Sequence, residues 1–159
     1  MNTKHVIAVR NRLAGLYLSG NEHGYNQELW ALDYECNTPG CIAGHAVWLQ
    51  SNGTFNLLDS DLIYDRAREW LGLDAYQAID LFNSRPAVFR GGPQPTLIHA
   101  IDVLHRLATT GKVEWRTNPT ITVRKSGAGA FVGFVAAPDS LIEMEIDRID
   151  EQVRFADPV

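Results

Sequence analysis

The sequence predicts an α+β fold: a bundle of about five helices, then a small antiparallel β-sheet, then a C-terminal helix or strand. Three observations predict it. Apolar residues recur at helical spacing up to residue 111, and β-branched and aromatic runs take over between 113 and 136. Glycines, prolines and capping residues stand at the junctions. A chain of 159 residues has the length of one ordinary domain. A helical part (1–111) and a β-rich part (112–159) are therefore expected to share a single domain, 1–159.

The first helix is expected over 3–19, where Val6, Val9, Leu13, Leu16 and Tyr17 share a face and Gly20 can take the left-handed conformation that ends a helix. Residues 20–28 read as a loop, and 29–34 as an extended segment or short turn. A second helix is expected over 38–52, with the Thr38 hydroxyl as cap, Pro39 in the first helical position and Gly53 as terminator. The third spans 60–71, capped by Ser60, with Ile63, Ala67, Trp70 and Leu71 turned inward and Gly72 at its end. The fourth spans 74–83: Asp74 and Gln77 form a capping box, Leu73 can staple against Ala78, and Ala78, Ile79, Leu81 and Phe82 face the core.

The loop 83–95, NSRPAVFRGGPQP, is long for a compact domain, and such loops are commonly functional. A fifth helix follows over 96–110, capped by Thr96 and ended by Gly111, with Leu97, Ile101, Leu104 and Ala108 inward. Strands are expected at Val113–Arg116, Thr120–Arg124 and Ala130–Ala136, the last two joined by a hairpin turn at 125–129. Residues 140–154 fit two patterns. Ile142, Met144 and Ile146 alternate as in a strand, whereas Ile142, Ile146, Ile149 and Val153 behind a Ser140–Glu143 capping box suit a helix, which is preferred.

Composition excludes several classes. With 45% apolar and 21% charged residues the chain is not intrinsically disordered. No apolar run is long enough to span a bilayer, and the first residues lack the apolar core of an export signal. A reducing, cytoplasmic compartment is expected, in which Cys36 and Cys41 are free thiols or metal ligands rather than a disulfide. A net charge of −5 argues against direct nucleic-acid binding. Acid is concentrated in 139–157, where Asp139, Glu143, Glu145, Asp147, Asp150, Glu151 and Asp157 face only Arg148 and Arg154. Such a run is either a solvated face or an attractor for a basic partner.

Cys36-x4-Cys41-x3-His45 is the one cluster of soft ligand types. On the expected helix, Cys41 lies in the first turn and His45 one turn on, with Trp48 continuing the stripe. Exposed N–H groups at a helix start favour thiolate, so the Cys41 pKa should fall. Three readings follow. Cys36, Cys41 and His45 could hold zinc with a fourth ligand from His23, His99 or His105. Cys41 could be a nucleophile with His45 as base, His99 or His105 being better placed to leave room for a substrate. Or Cys41 and His45 could be core residues, with Gly40, Ala43, Gly44 and Ala46 allowing close backbone approach. The third reading is preferred.

CNTPGCIAGHAV followed by AREWLGLDAYQAIDLF resembles a set of small, uncharacterised bacterial and phage proteins. Those carry a Cys-Gly-Thr-x-x-Cys-x-Ala-Gly-His/Trp-Ala segment and then a Leu-Gly-Leu helix pair. The resemblance runs over residues 25–110 and implies no particular activity. Asn37 stands where those proteins usually have glycine, and His45 is often tryptophan there, which speaks against an obligatory ligand or base at that position.

Other features have plain readings. Gly127-x-Gly129-x3-Gly133 lies between strands, so it is a hairpin rather than a phosphate loop. His99 and His105 point in different directions on one helix, and Trp30, Trp48, Trp70 and Trp115 suit the core. Arg85, Val88, Phe89 and Arg90 suit either a contact surface for a protein or a loop pinned by a buried Phe89. The expectation is a non-enzymatic cytoplasmic interaction protein of the phage accessory or inhibitor type. It would bind a basic partner protein through the Arg85–Arg90 loop and the acidic residues from Glu143 to Glu151, without membrane or nucleic-acid contact. The rival is a small Cys-dependent enzyme or zinc protein centred on Cys41 and His45.

Overall fold

The first helix, α1 (Thr3–Leu18), packs against the last, α5 (Leu97–Thr110), and these two define the axis of the fold. The computed structural model describes residues 1–28, 31–33, 38–53, 62–126 and 129–135. Between α1 and α5 come a short antiparallel ladder of β1 (Ala31–Asp33) with β2 (Thr38–Pro39), then α2 (Ile42–Gln50), α3 (Ile63–Leu71) and α4 (Ala75–Phe82). A hairpin of β3 (Ile121–Ser126) and β4 (Gly129–Phe134) follows α5 and lies against α1. The architecture is α+β: five helices with a two-stranded antiparallel sheet near the C-terminus.

α1 turns Val6, Val9, Leu13 and Ala14 inward at helical spacing. α5 is buried on more sides, from Ala100 through Leu107, as befits a helix enclosed by other elements. Around them Ile42, Ile63, Leu71, Leu81, Ile101 and Leu104 complete one continuous core. Each such aliphatic side chain contributes about 2 kcal/mol by leaving water.

The corner between α3 and α4 shows how local chemistry sets direction. Gly72 has φ 63°, the left-handed conformation that stops α3. A β-carbon there would lie 2.9 Å from the Asn2 backbone nitrogen, so the position is closed to side chains on a second ground. Asn2 N–H donates to Leu71 O at 2.7 Å, tying the start of α1 to this corner. α4 then begins with the expected capping box between Asp74 and Gln77.

The hairpin obeys its alternation. Ile121 and Val123 pair with Phe134 and Val132, and Ile121 and Val132 are buried. On the other face Arg124 pairs with Phe131 and lays its guanidinium 4.5 Å over the ring.

The structure corrects three expectations. Thr38 and Pro39 do not open a helix. They pair with β1, and Asn26 N–H donates to Gly40 O just beyond them. Proline fits an edge strand as well as a helix start, so strand pairing decides, and α2 begins at Ile42 behind Cys41. α3 is described from Ile63, and its expected start at residue 60 lies outside the described residues. Val113–Arg116 is not a strand: Trp115 buries its ring and donates its indole N–H to Asp80 O at 2.9 Å, so side-chain anchoring takes the place of a ladder. The described sheet therefore begins at 121 rather than 113, and β4 runs to Phe134. Ile79 faces outward, 56% exposed, because Ala78, Leu81 and Phe82 fill the inner face of α4.

The expected Ser60 cap, the Gly127 turn, Trp30, Cys36 and the whole segment 136–159, with its helix-or-strand alternatives, lie outside the described residues. No helix among the described residues is long and apolar enough to cross a membrane.

Candidate functional site

Cys41 is the N-cap of α2. Its backbone is extended (φ −88°, ψ 177°) and its Sγ accepts from Gly44 N–H at 3.5 Å. This is the helix-start geometry that favours thiolate. Burial outweighs it: the residue is 3% exposed, and loss of water pushes the thiol up to about 11 against the pull of the backbone N–H groups. The expected fall in pKa is thus reversed, and at neutral pH Cys41 is a protonated thiol.

One turn on, His45 is buried with both ring nitrogens engaged. Arg12 Nε donates to Nδ1 at 2.9 Å. Because a guanidinium can only donate, Nδ1 must be the acceptor, so the proton sits on Nε2, which donates to Gly24 O at 2.9 Å. Burial and the Arg12 cation push the imidazole down to about 3. Arg12 in turn lies 3.5 Å over the Trp48 ring, and burial lowers its own pKa. The run Gly24–His45–Arg12–Trp48 therefore ties the turn after α1, the middle of α2 and the outer side of α1 into one unit. As placed, the imidazole has no lone pair free to take a proton or bind a metal.

The neighbouring polar groups are also committed. Tyr25 O–H donates to Gln27 Oε1 at 2.6 Å, and Gln27 Nε2 donates to Leu81 O at 3.0 Å and Asn83 O at 3.1 Å. Burial, then the nearby Cys41, raise the Tyr25 phenol well above its usual range. This hydrogen-bonded set fastens the 20–28 loop to the C-terminal end of α4.

The two histidines weighed as partners of Cys41 lie on α5 with their own attachments. His99 Nδ1 accepts from Thr96 N–H at 3.0 Å and Nε2 donates to Thr117 O at 3.1 Å. His105 Nδ1 stands 3.1 Å from Arg10 Nη1, its ring 4.4 Å from that of Phe134. Burial and the Arg10 and Arg106 cations push it down to about 4. Beside it Arg106 pairs with Asp102 at 3.2 Å and bonds Thr120 Oγ1, while Asp102 Oδ1 accepts from Thr120 N–H. Among the described residues no three His, Cys, Asp or Glu side chains are placed to hold a metal ion. Cys36, the remaining proposed zinc ligand, lies outside them.

The surface loop divides the two readings made of it. Phe89 is buried, edge-on to His99 at 5.0 Å and to Trp115 at 6.1 Å. Arg85, Val88 and Arg90 around it are exposed, Arg85 reaching Glu28 at 4.0 Å. The loop is thus pinned by its aromatic and presents the other three outward. Glu143, Glu145, Asp147, Asp150 and Glu151 lie outside the described residues.

Sequence reasoning missed two features. Arg10 and Arg12 serve as internal cross-links, and a signal existed for the first: Arg10 falls on the Val6–Leu13 face of α1. The second is the outer face of α4, where Tyr76 is 81% exposed beside Ile79. It was hidden because Ile79 reads as core by type. Compared with protein-family models, curated proteins and solved structures, the chain finds no match.

Proposed function

We propose that this chain is a cytoplasmic, non-enzymatic interaction protein of the accessory or inhibitor type that binds a basic partner protein. One observation carries the reading. The residues best suited to chemistry, Cys41 and His45, are sealed and hydrogen-bonded inside the fold, while large apolar side chains such as Tyr76, Ile79 and Val88 stand on its surface. The net charge of −5, with seven acids against two arginines in 139–157, supplies long-range attraction for a basic surface. Arg85, Val88 and Arg90, held out by the buried Phe89, offer a second, rigid contact.

The test is salt- and charge-dependent capture by the full-length chain. Retention of basic proteins should fall steeply as ionic strength rises, since a Debye length of about 8 Å screens such contacts. It should fall again when Glu143, Glu145, Asp147, Asp150 and Glu151 are all changed to their amides. Capture insensitive to both changes sinks the reading.

A further inference from the structure

We propose that Asn52 is a site of spontaneous covalent modification, where loss of its side-chain amide yields aspartate and isoaspartate and undoes the cap of α2. The turn that ends α2 selects the dipeptide. Asn52 N–H donates to Leu49 O at 3.1 Å and Gly53 N–H to Trp48 O at 2.9 Å, the paired bonds that satisfy the last carbonyls of a helix. To make them Asn52 takes φ 52° and Gly53 φ 84°. Asparagine is among the few side chains that visit this conformation. A β-carbon on residue 53 would lie 3.2 Å from the Trp48 ring, so packing favours glycine there as well. The demands of the turn thus place a side-chain amide next to the least hindered of backbone nitrogens. Among the asparagines of the chain only Asn52 precedes glycine.

Asn52 is exposed, and no hydrogen bond among the described residues holds its side-chain amide. Asn83, which precedes serine, differs: its Oδ1 accepts from Arg85 N–H at 3.0 Å. Attack at Asn52 needs the Gly53 nitrogen released from Trp48 O, and the end of a helix is the part that opens at least cost. The nitrogen then gives its proton to solvent and bonds to Asn52 Cγ. The Cγ–Nδ2 bond breaks, ammonia leaves, and a cyclic imide remains. Water opens the ring at Cγ to give aspartate, or at the backbone carbonyl carbon to give isoaspartate. A water molecule is consumed and an ammonia released, with no change of oxidation state. Either product sets a carboxylate against the negative end of α2. Isoaspartate also adds a methylene to the backbone ahead of Gly53, which carries its nitrogen away from Trp48 O. Because Trp48 lies under the Arg12 guanidinium, the lesion falls beside the Arg12–His45 cross-link.

The full-length chain is incubated under native conditions and followed by peptide mapping with mass spectrometry. Isoaspartate is counted separately, as methyl acceptor for a protein isoaspartyl methyltransferase. The expected result is conversion at residue 52, at a rate within about a hundredfold of that of a free peptide covering residues 47–58, since opening a helix end costs far less than global unfolding. Asn52→Gly keeps a residue suited to the left-handed turn and should abolish the product without lowering the melting temperature. The isoaspartyl form, separated by chromatography, should melt about 2–4 °C below the starting protein. Conversion only in denaturant, or equal ammonia release from Asn52→Gly, overturns the site. An isoaspartyl form that melts with the starting protein overturns the uncapping.

Discussion

Arg12 Nε stands 2.9 Å from His45 Nδ1, so a permanent cation decides which nitrogen of a buried imidazole carries the proton. The cross-link joins α1 to α2 without an acid, and it works only while the imidazole is neutral.

That condition makes stability depend on pH. The folded pKa of His45 is lowered from 6.5 to about 3, so below pH 6.5 the unfolded chain takes up a proton that the folded chain refuses. The stabilisation is complete above pH 6.5, shrinks as pH falls and is gone below about 3. His105, lowered to about 4, acts in the same direction. Each contributes a slope of about 1.4 kcal/mol per pH unit within its window. Urea midpoints at pH 7 and pH 4.5 should show the loss. His45→Gln, which can still accept from Arg12 and donate to Gly24, should show a smaller one.

Cys41 should be silent toward reagents. In a Cys36→Ser background, alkylation of the native protein at pH 8 should proceed only at the rate of unfolding, because the thiol is buried with its pKa raised to about 11. Fast labelling below neutral pH would restore the nucleophile reading.

Gly72→Ala and Gly111→Ala separate two costs. Both positions have positive φ, 63° and 74°, which costs a side chain about 1–2 kcal/mol. Only at Gly72 would the new methyl group also meet the Asn2 backbone, whereas Gly111 has open space. Thermal melts should show a clearly larger drop for Gly72→Ala. Equal drops would mean that the Asn2 strap contributes nothing.

Leu104→Ala should cost about 2–5 kcal/mol, since Leu104 is fully buried between α5 and its neighbours. Tyr76→Ala should stay within about 0.5 kcal/mol. Chemical denaturation of the two variants checks both, and a destabilised Tyr76→Ala would mean that this ring supports the fold.

The order and type of the helices were legible because each carries its own punctuation. The Asp74–Gln77 box and the glycines at 72 and 111 are local signals, and they hold. The start of α2 was not legible, because Thr38-Pro39 satisfies a strand edge and a helix start alike, and only the distant β1 decides between them. The same limit hid the site chemistry. Cys41 does sit at a helix start, as its position in the sequence suggests, but its pKa follows burial, which depends on elements far along the chain. Arg10, His45 and His105 show their roles only once α1 meets α2 and α5.

The pairing of α1 with α5 also governs how the molecule comes into being. Arg10 and His105 are separated by 95 positions. A ribosome therefore delivers the first helix long before it makes the last, and until then the Val6–Leu13 stripe is open to water. Contacts so distant in the chain slow folding. The growing polypeptide should be a better client for chaperones than the finished one, and any stop codon ahead of residue 97 should yield a product destined for proteolysis.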